Sequence, residues 1–104
     1  MNTSQTDVTV DERTRTQKRV QEPPLYQVLL HNDDYTTMEF VIEILMVVFN
    51  RSMEDATRIM LNVHRNGVGI CGVYPYDIAE TKVETVEVLA ISSGFPLKCS
   101  MEKA

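Results

Sequence analysis

The residues of this sequence that are best suited to bind a ligand are three neighbours in a predicted turn, Asn32, Asp33 and Asp34. They lie between an apolar segment that is predicted to be a strand and a very apolar segment that is predicted to be a helix. Asn and Asp favour turns for local reasons, but their amide and carboxylate oxygens also accept hydrogen bonds. Acceptors beside a large apolar surface suit a site that holds a small cation joined to an apolar group.

The two histidines raise the questions of metal binding and catalysis. His64 lies in the last turn of the second predicted helix, where the helix dipole favours its protonated form; it could equally be a capping or half-buried residue. Together with His31, Asp33 and Asp34 it offers metal-ligand types, but no ligand-spacing motif is present. Acid–base chemistry by Asp34 and His64 is conceivable, yet no nucleophile, oxyanion hole or cofactor motif accompanies them. We therefore expect no metal, no cofactor and no enzymatic activity.

Apolar residues near the turn suggest a pocket. Met38 and Val41 share a face at the start of the first predicted helix, and Met60 and Val63 share a face of the second, beside His64. If the second helix packs against the start of the first, these residues line a cavity under the acidic turn. The alternative is that they are ordinary core residues. Methionine adapts its shape and suits a wall that accepts several ligands.

The pattern of apolar residues, caps and glycines predicts six elements. A Thr36–Glu39 capping box begins the first helix, Ser52 caps the second, and Pro75 opens the third. Gly67 and Gly94 end the second and third helices. We predict an α+β fold, a single β-α-α-β-α-β sandwich in which a three-stranded antiparallel sheet packs against three helices. The predicted elements are strand 26–31, helix 36–49, helix 52–67, strand 68–74, helix 75–94 and strand 97–101.

Length and composition indicate one domain with a polar extension. The chain has 104 residues, of which 43% are hydrophobic, enough for one core. Residues 1–22 carry four acidic and four basic groups and no apolar periodicity, so we expect a disordered N-terminal extension. Residues 23–104 form the predicted core domain. Cys71 and Cys99 are too few for a disulfide framework, and we expect both to be reduced core residues.

The charge balance limits the classes of partner. Residues 23–104 contain 11 acidic and six basic groups, and the whole chain has a net charge of −5. An acidic surface repels phosphate backbones, so we expect no nucleic-acid partner. No apolar run is long enough to cross a bilayer, and the N-terminus lacks the pattern of a signal peptide. We therefore expect a cytoplasmic protein with no membrane partner.

Five motifs follow one another along the chain. They are Asn-Asp-Asp-Tyr-Thr-x-Met-Glu-Phe-Val (32–41), Ile-Met-Leu-x-Val-His (59–64), Cys-Gly-Val (71–73), Ile-Ala-Glu-Thr-Lys-Val (78–83) and Met-Glu-Lys-Ala (101–104). In this order they resemble the bacterial ClpS adaptor family, and the resemblance covers about residues 24–104. It implies a non-enzymatic adaptor with the fold predicted above. Such an adaptor is implied to bind N-degrons, which are proteins whose first residue is Phe, Tyr, Trp or Leu with a free α-amino group. It is implied to deliver them to the ClpA unfoldase of the ClpAP protease, with the N-terminal extension taking part in delivery.

The resemblance assigns expected roles to matched positions. Asn32, Asp34 and His64 are implied to hold the α-amino group of the ligand, whereas Asp33 is expected to serve the turn. Asp77 and Lys82 are implied to contact ClpA, the alternative being ordinary exposed charge. Met38 is implied to be a gatekeeper that crowds β-branched Ile and Val. The residues implied to line the side-chain pocket are Thr36, Met38, Val41, Met60, Val63 and Leu97.

The sequence departs from the common family pattern at the pocket entrance. His31 stands where leucine is usual, and Thr37 stands where proline is usual. These changes leave the preference among Phe, Tyr, Trp and Leu open, and a second family copy with a narrower choice is one interpretation. The alternative function is an interaction module of the same fold that regulates a AAA+ partner without reading N-termini. Dependence of peptide binding on a free amine distinguishes the two.

Overall fold

A central strand organises the sheet of this protein, whose computed structural model describes residues 22–104. Strand β1 (Leu25–His31) pairs antiparallel with β2 (Val68–Pro75) on one side and with β3 (Lys98–Lys103) on the other. The element order is β-α-α-β-α-β, as predicted. Apart from Glu22, the predicted N-terminal extension lies outside the described residues.

The inward residues of β1 show why the sheet buries one face. Val28 and Leu30 are fully buried, while Leu25 is 47% exposed, which is the alternation expected of a strand with one face on the core. The pairing with β2 shifts between Val28 and Leu29. This bulge leaves Cys71 as an extra residue. Its carbonyl oxygen accepts hydrogen bonds from Arg51 Nε at 3.0 Å and Nη2 at 2.6 Å, so the irregular backbone stays satisfied.

Three helices complete the fold, and their ends follow local signals. They are α1 (Met38–Val47), α2 (Met53–Asn66) and α3 (Tyr76–Ser93). The Ser52 hydroxyl accepts from the Asp55 N–H at 3.1 Å, and Gly67 and Gly94 end α2 and α3 with φ of 85° and 79°. These caps confirm the predicted boundaries. Pro75 occupies the position before α3 rather than its first turn.

The predicted cap of α1 is wrong by one residue. Thr37, not Thr36, is the N-cap, and its hydroxyl oxygen accepts from the Phe40 N–H at 3.1 Å. Thr36 belongs to the turn instead, where its hydroxyl donates to Asp33 Oδ2 at 2.6 Å and its backbone N–H donates to Asp33 Oδ1 at 2.7 Å. The turn therefore extends one residue further than the sequence pattern indicated.

The core is formed by α1 and the residues that surround it. Ile44 and Leu45 are almost fully buried, and Phe40 contacts Phe95 with ring centroids 4.8 Å apart. Cys71 is buried and Cys99 half-buried, and both are free thiols. Burial raises the pKa of the Cys99 thiol to about 12 and raises that of Cys71 as well. Both thiols are therefore protonated and unreactive at neutral pH.

A cation from α3 stabilises the end of α1, which has no basic residue in its own last turn. Lys82 Nζ donates to the Val48 carbonyl oxygen at 2.6 Å and lies 5.6 Å from the centroid of the Tyr74 ring. A positive charge at a helix C-terminus is stabilising, and a cation above an aromatic face adds to this.

We expect Lys82→Met to lower stability. The methionine keeps an apolar stem but loses the charge and the hydrogen bond, so the free energy of unfolding falls by about 1 kcal/mol. The melting temperature of a domain this size then falls by about 4–8 °C, measured by calorimetry. Lys103→Met on exposed β3 is the matched control, and its melting temperature is expected to stay near that of the parent protein. Equal melting temperatures for both variants would contradict a capping role for Lys82.

Candidate functional site

A cavity of about 440 Å³ lies under the turn that joins β1 to α1. The start of α1 and the C-terminal half of α2 form its other sides, so the packing expected from the sequence is present. The cavity brings together most of the residues singled out there. Its lining residues are Asn32, Asp33, Asp34, Tyr35, Thr36, Thr37, Met38, Glu39, Val41, Met60, Val63 and His64.

The turn itself is held by backbone and side-chain hydrogen bonds. The Asn32 N–H donates to the Gly67 carbonyl oxygen at 2.9 Å, which fixes the start of the turn to the end of α2. Asp33 Oδ1 accepts from the N–H groups of Tyr35 at 2.8 Å and Thr36 at 2.7 Å. Partial burial raises the pKa of Asp33, but hydrogen bonds from Thr36 and Tyr35 outweigh it, and the pKa lies below its usual value. Asp33 is thus a turn residue, as expected.

The polar side of the cavity has acceptor groups without partners. Asn32, Asp34 and His64 all line the cavity and are exposed. Within residues 22–104, no side-chain atom of these three residues takes part in a hydrogen bond or ion pair. An amide oxygen, a carboxylate and an imidazole nitrogen therefore line the same cavity, a combination that suits a ligand rich in hydrogen-bond donors.

The apolar side is formed by side chains from both helices. Val41, Met60 and Val63 are 8%, 6% and 3% exposed and form the buried part of the wall. Met38, the first residue of α1, is 46% exposed and lies at the rim. Polar acceptors thus stand beside an apolar recess, with a flexible methionine side chain at the boundary.

One residue predicted to line the pocket lies elsewhere, and the two predicted partner contacts border a different groove. Leu97 is 6% exposed, belongs to the hydrophobic core and does not line the cavity. Asp77 and Lys82 border a second groove between the end of α1 and the start of α3, which shares no residue with the first. Val47 and Ile78, which are 70% and 47% exposed, add apolar surface to this groove.

Two further lining residues were not expected at the cavity. They are Tyr35, which is 78% exposed, and Glu39. Thr37, which was expected beside the entrance, also lines the cavity. Their position within the acidic segment was the available signal, but the direction of side chains in a turn does not follow from sequence. His31, expected beside the entrance, does not line the cavity; its Nε2 lies 2.7 Å from Ser100 Oγ on β3.

Comparison with known families accounts for this arrangement. A family model described as "ATP-dependent Clp protease adaptor protein ClpS" matches residues 21–100. The chain belongs to the ClpS adaptor family. A ClpS protein of Desulfatibacillum aliphaticivorans is 59% identical over 92 residues, which are 88% of each chain. A ClpS protein of Myxococcus xanthus is 53% identical over 96 residues, covering 92% of this chain and 90% of the relative.

A solved ClpS structure has the same fold. It is Agrobacterium tumefaciens ClpS2 bound to L-phenylalaninamide, and it is 42% identical to this chain with a TM-score of 0.77. The alignment covers 80% of this chain and 100% of that one. The ClpS fold thus accounts for nearly the whole described part of the chain.

Neither a metal centre nor a membrane-spanning helix is present within residues 22–104. No group of three or more His, Cys, Asp and Glu side chains there is arranged to hold a metal ion. None of the helices in that range combines the length and apolar character needed to cross a membrane.

Proposed function

We propose that this ClpS protein is an adaptor, not an enzyme, and that the cavity under the β1–α1 turn binds the first residue of an N-degron. The observation that carries the proposal is that one cavity is lined both by Asn32, Asp34 and His64, whose side chains have no hydrogen-bond partner within residues 22–104, and by apolar side chains of α1 and α2. A ligand that fits must combine several donors with an apolar group. The first residue of a protein that begins with Phe, Tyr, Trp or Leu has this combination.

The chemistry of a free N-terminus matches the polar side. Its pKa is about 8, so at neutral pH it is mostly an ammonium with three N–H donors. Asn32 offers an amide oxygen, Asp34 a carboxylate and His64 a ring nitrogen, directly or through water. Hydrogen bonds between charged partners are the strong class. An internal residue or an acetylated N-terminus has no positive charge, so the site selects true N-termini.

The apolar side matches a large side chain that is not β-branched. Burial of a Phe or Leu side chain against Val41, Met60 and Val63 stabilises the complex by about 1.5–3 kcal/mol. Thr36 and Met38 complete the wall, and Met38 crowds a ligand with a branched β-carbon. Leu97 belongs to the same hydrophobic core cluster as Val41, Met60 and Val63. The Agrobacterium tumefaciens relative supports this assignment because its ligand, L-phenylalaninamide, has an aromatic side chain and one α-amino group.

Nuclear magnetic resonance tests where the ligand binds. Titration with L-phenylalaninamide is expected to shift the backbone amides of residues 32–39 and 60–64, and N-acetyl-L-phenylalaninamide at equal concentration is expected to leave them unchanged. Shifts confined to residues near the α1–α3 groove, or equal shifts with both compounds, would contradict the assignment of the cavity.

We further propose that the groove bordered by Asp77 and Lys82 contacts the ClpA unfoldase in the cytoplasm. The groove combines charged side chains with exposed Val47 and Ile78, and an apolar centre with a polar rim is typical of protein interfaces. The groove shares no residue with the cavity under the β1–α1 turn, so one adaptor could bind a substrate and the unfoldase at the same time. Asp77 is the cleaner probe, since Lys82 also caps α1.

We expect Asp77→Lys to weaken ClpA binding by about tenfold or more, because reversal of an interface charge costs at least about 1.4 kcal/mol. Surface plasmon resonance with immobilised ClpA measures the loss. Affinity for a Phe peptide is expected to stay unchanged, and Glu102→Lys on β3 serves as the matched charge reversal. Normal ClpA affinity in Asp77→Lys would remove this groove from the interface.

A further inference from the structure

The two aspartates of the turn have different surroundings although they are adjacent in sequence. Asp33 is half-buried, and its two oxygens accept three hydrogen bonds, from the Tyr35 N–H, the Thr36 N–H and the Thr36 hydroxyl. Asp34 is exposed, and within the described residues its carboxylate accepts none. One carboxylate is therefore engaged in the turn, and the other is available to a ligand.

Within residues 22–104, the hydrogen bonds of Asp33 are the ones that span the middle of the turn. The Asn32 N–H ties the beginning of the turn to Gly67, and the Thr37 cap ties its end to α1. Between them, Asp33 fixes the backbone of residues 33–36 and the side-chain rotamer of Thr36. Asp34, a proposed amine ligand, and Thr36, a proposed wall residue, belong to this stretch, and Asn32 directly precedes it.

We propose that Asp33 is a positioning residue that holds the turn in its ligand-binding shape before the ligand arrives. A site that is ordered in advance binds more tightly, because binding does not have to order it. Asp33 acts through Asn32, Asp34 and Thr36 and does not contact the ligand. This inference rests on the proposed function, since it concerns affinity for N-degrons.

Asparagine substitutions separate positioning from direct contact. Asp33→Asn keeps one side-chain oxygen that can accept from the N–H groups of Tyr35 and Thr36, and asparagine forms the same type of turn. The substitution removes the charge and replaces Oδ2, the acceptor of the Thr36 hydroxyl, with an NH2 group that can donate to that hydroxyl oxygen instead. We expect Asp33→Ala to lower affinity for a Phe peptide about tenfold or more. The affinity of Asp33→Asn is expected to stay within about threefold of that of the parent. Asp34→Asn and Asp34→Ala, the matched pair, are both expected to lose affinity because a ligand-contacting charge is removed.

A second measurement, amide hydrogen exchange, tests whether Asp33 orders the turn in the protein without ligand. Loss of the Asp33 acceptor is expected to speed hydrogen exchange at the Tyr35 and Thr36 amides about tenfold or more in Asp33→Ala, with little change in Asp33→Asn. Because this experiment contains no ligand, it still tests the turn if the protein does not bind N-degrons. Melting curves verify that both variants fold.

Two results would overturn the proposal. Equal losses of affinity in Asp33→Asn and Asp33→Ala would assign Asp33 a direct charge contact with the ammonium. Unchanged affinity and unchanged amide exchange in Asp33→Ala would show that the turn holds its shape without the carboxylate. Absence of free-amine-dependent binding in the parent protein, by contrast, would count against the proposed function itself.

Discussion

Asp34→Ala and His64→Ala are each expected to weaken binding of a peptide that begins with Phe by about 10–100-fold. Each variant removes one hydrogen bond to a charged donor, an interaction worth about 1.5–3 kcal/mol. Both side chains are exposed and without intramolecular partners in residues 22–104. Their removal should therefore leave the melting temperature unchanged. Isothermal titration calorimetry with the unlabelled peptide measures the affinity.

Glu43→Ala is the matched control for the Asp34 variant. Glu43 is an exposed carboxylate on α1 that does not line the cavity, so its removal changes the net charge equally without touching the site. Normal affinity in Asp34→Ala, or the same loss in Glu43→Ala, would show that Asp34 does not bind the ammonium.

Met38→Ala is expected to admit peptides that begin with Ile or Val, which the parent protein rejects. Met38 stands at the rim of the recess and is 46% exposed, so truncation removes crowding near the β-carbon of the ligand without opening the core. One extra or missing methylene group on a ligand in an apolar pocket alters discrimination by about 10–200-fold. We expect the affinity for Ile and Val peptides to rise at least about tenfold relative to Phe.

Competition against a labelled Phe peptide measures this change of specificity. Met53→Ala is the matched control, because Met53 is 63% exposed at the start of α2 and lies outside the cavity lining. Continued rejection of Ile and Val by Met38→Ala would remove Met38 as gatekeeper and would place the steric limit deeper, at Val41 or Val63.

The fold was predictable where signals are local. Ser52, Gly67 and Gly94 each set a helix end through a contact or a backbone angle within a few residues, so the sequence pattern located them. The sequence pattern could not tell which of two adjacent threonines is the N-cap of α1. In the structure Thr36 donates its hydroxyl to Asp33 within the turn, and Thr37 caps the helix. The pairing of Lys82 with Val48, 34 residues away, has no local signature at all.

The candidate site was predictable in its composition but not in its details. The resemblance placed Asn32, Asp34 and His64 together, and the cavity contains all three. It also named Leu97, which lies in the core because the cavity is closed by α1 and α2 and not by the chain before β3. The exposure of Tyr35 and the separate surroundings of Asp33 and Asp34 depend on turn geometry, which only the folded structure shows.

The most direct test of the account is fluorescence anisotropy with three labelled peptides of otherwise identical sequence. One begins with a free Phe, one carries the same Phe acetylated, and one begins with Ala. The account predicts binding of the free Phe peptide alone, since both the ammonium and the large side chain are required. Equal binding of all three peptides, or of none, would contradict it and would favour a regulatory module that does not read N-termini.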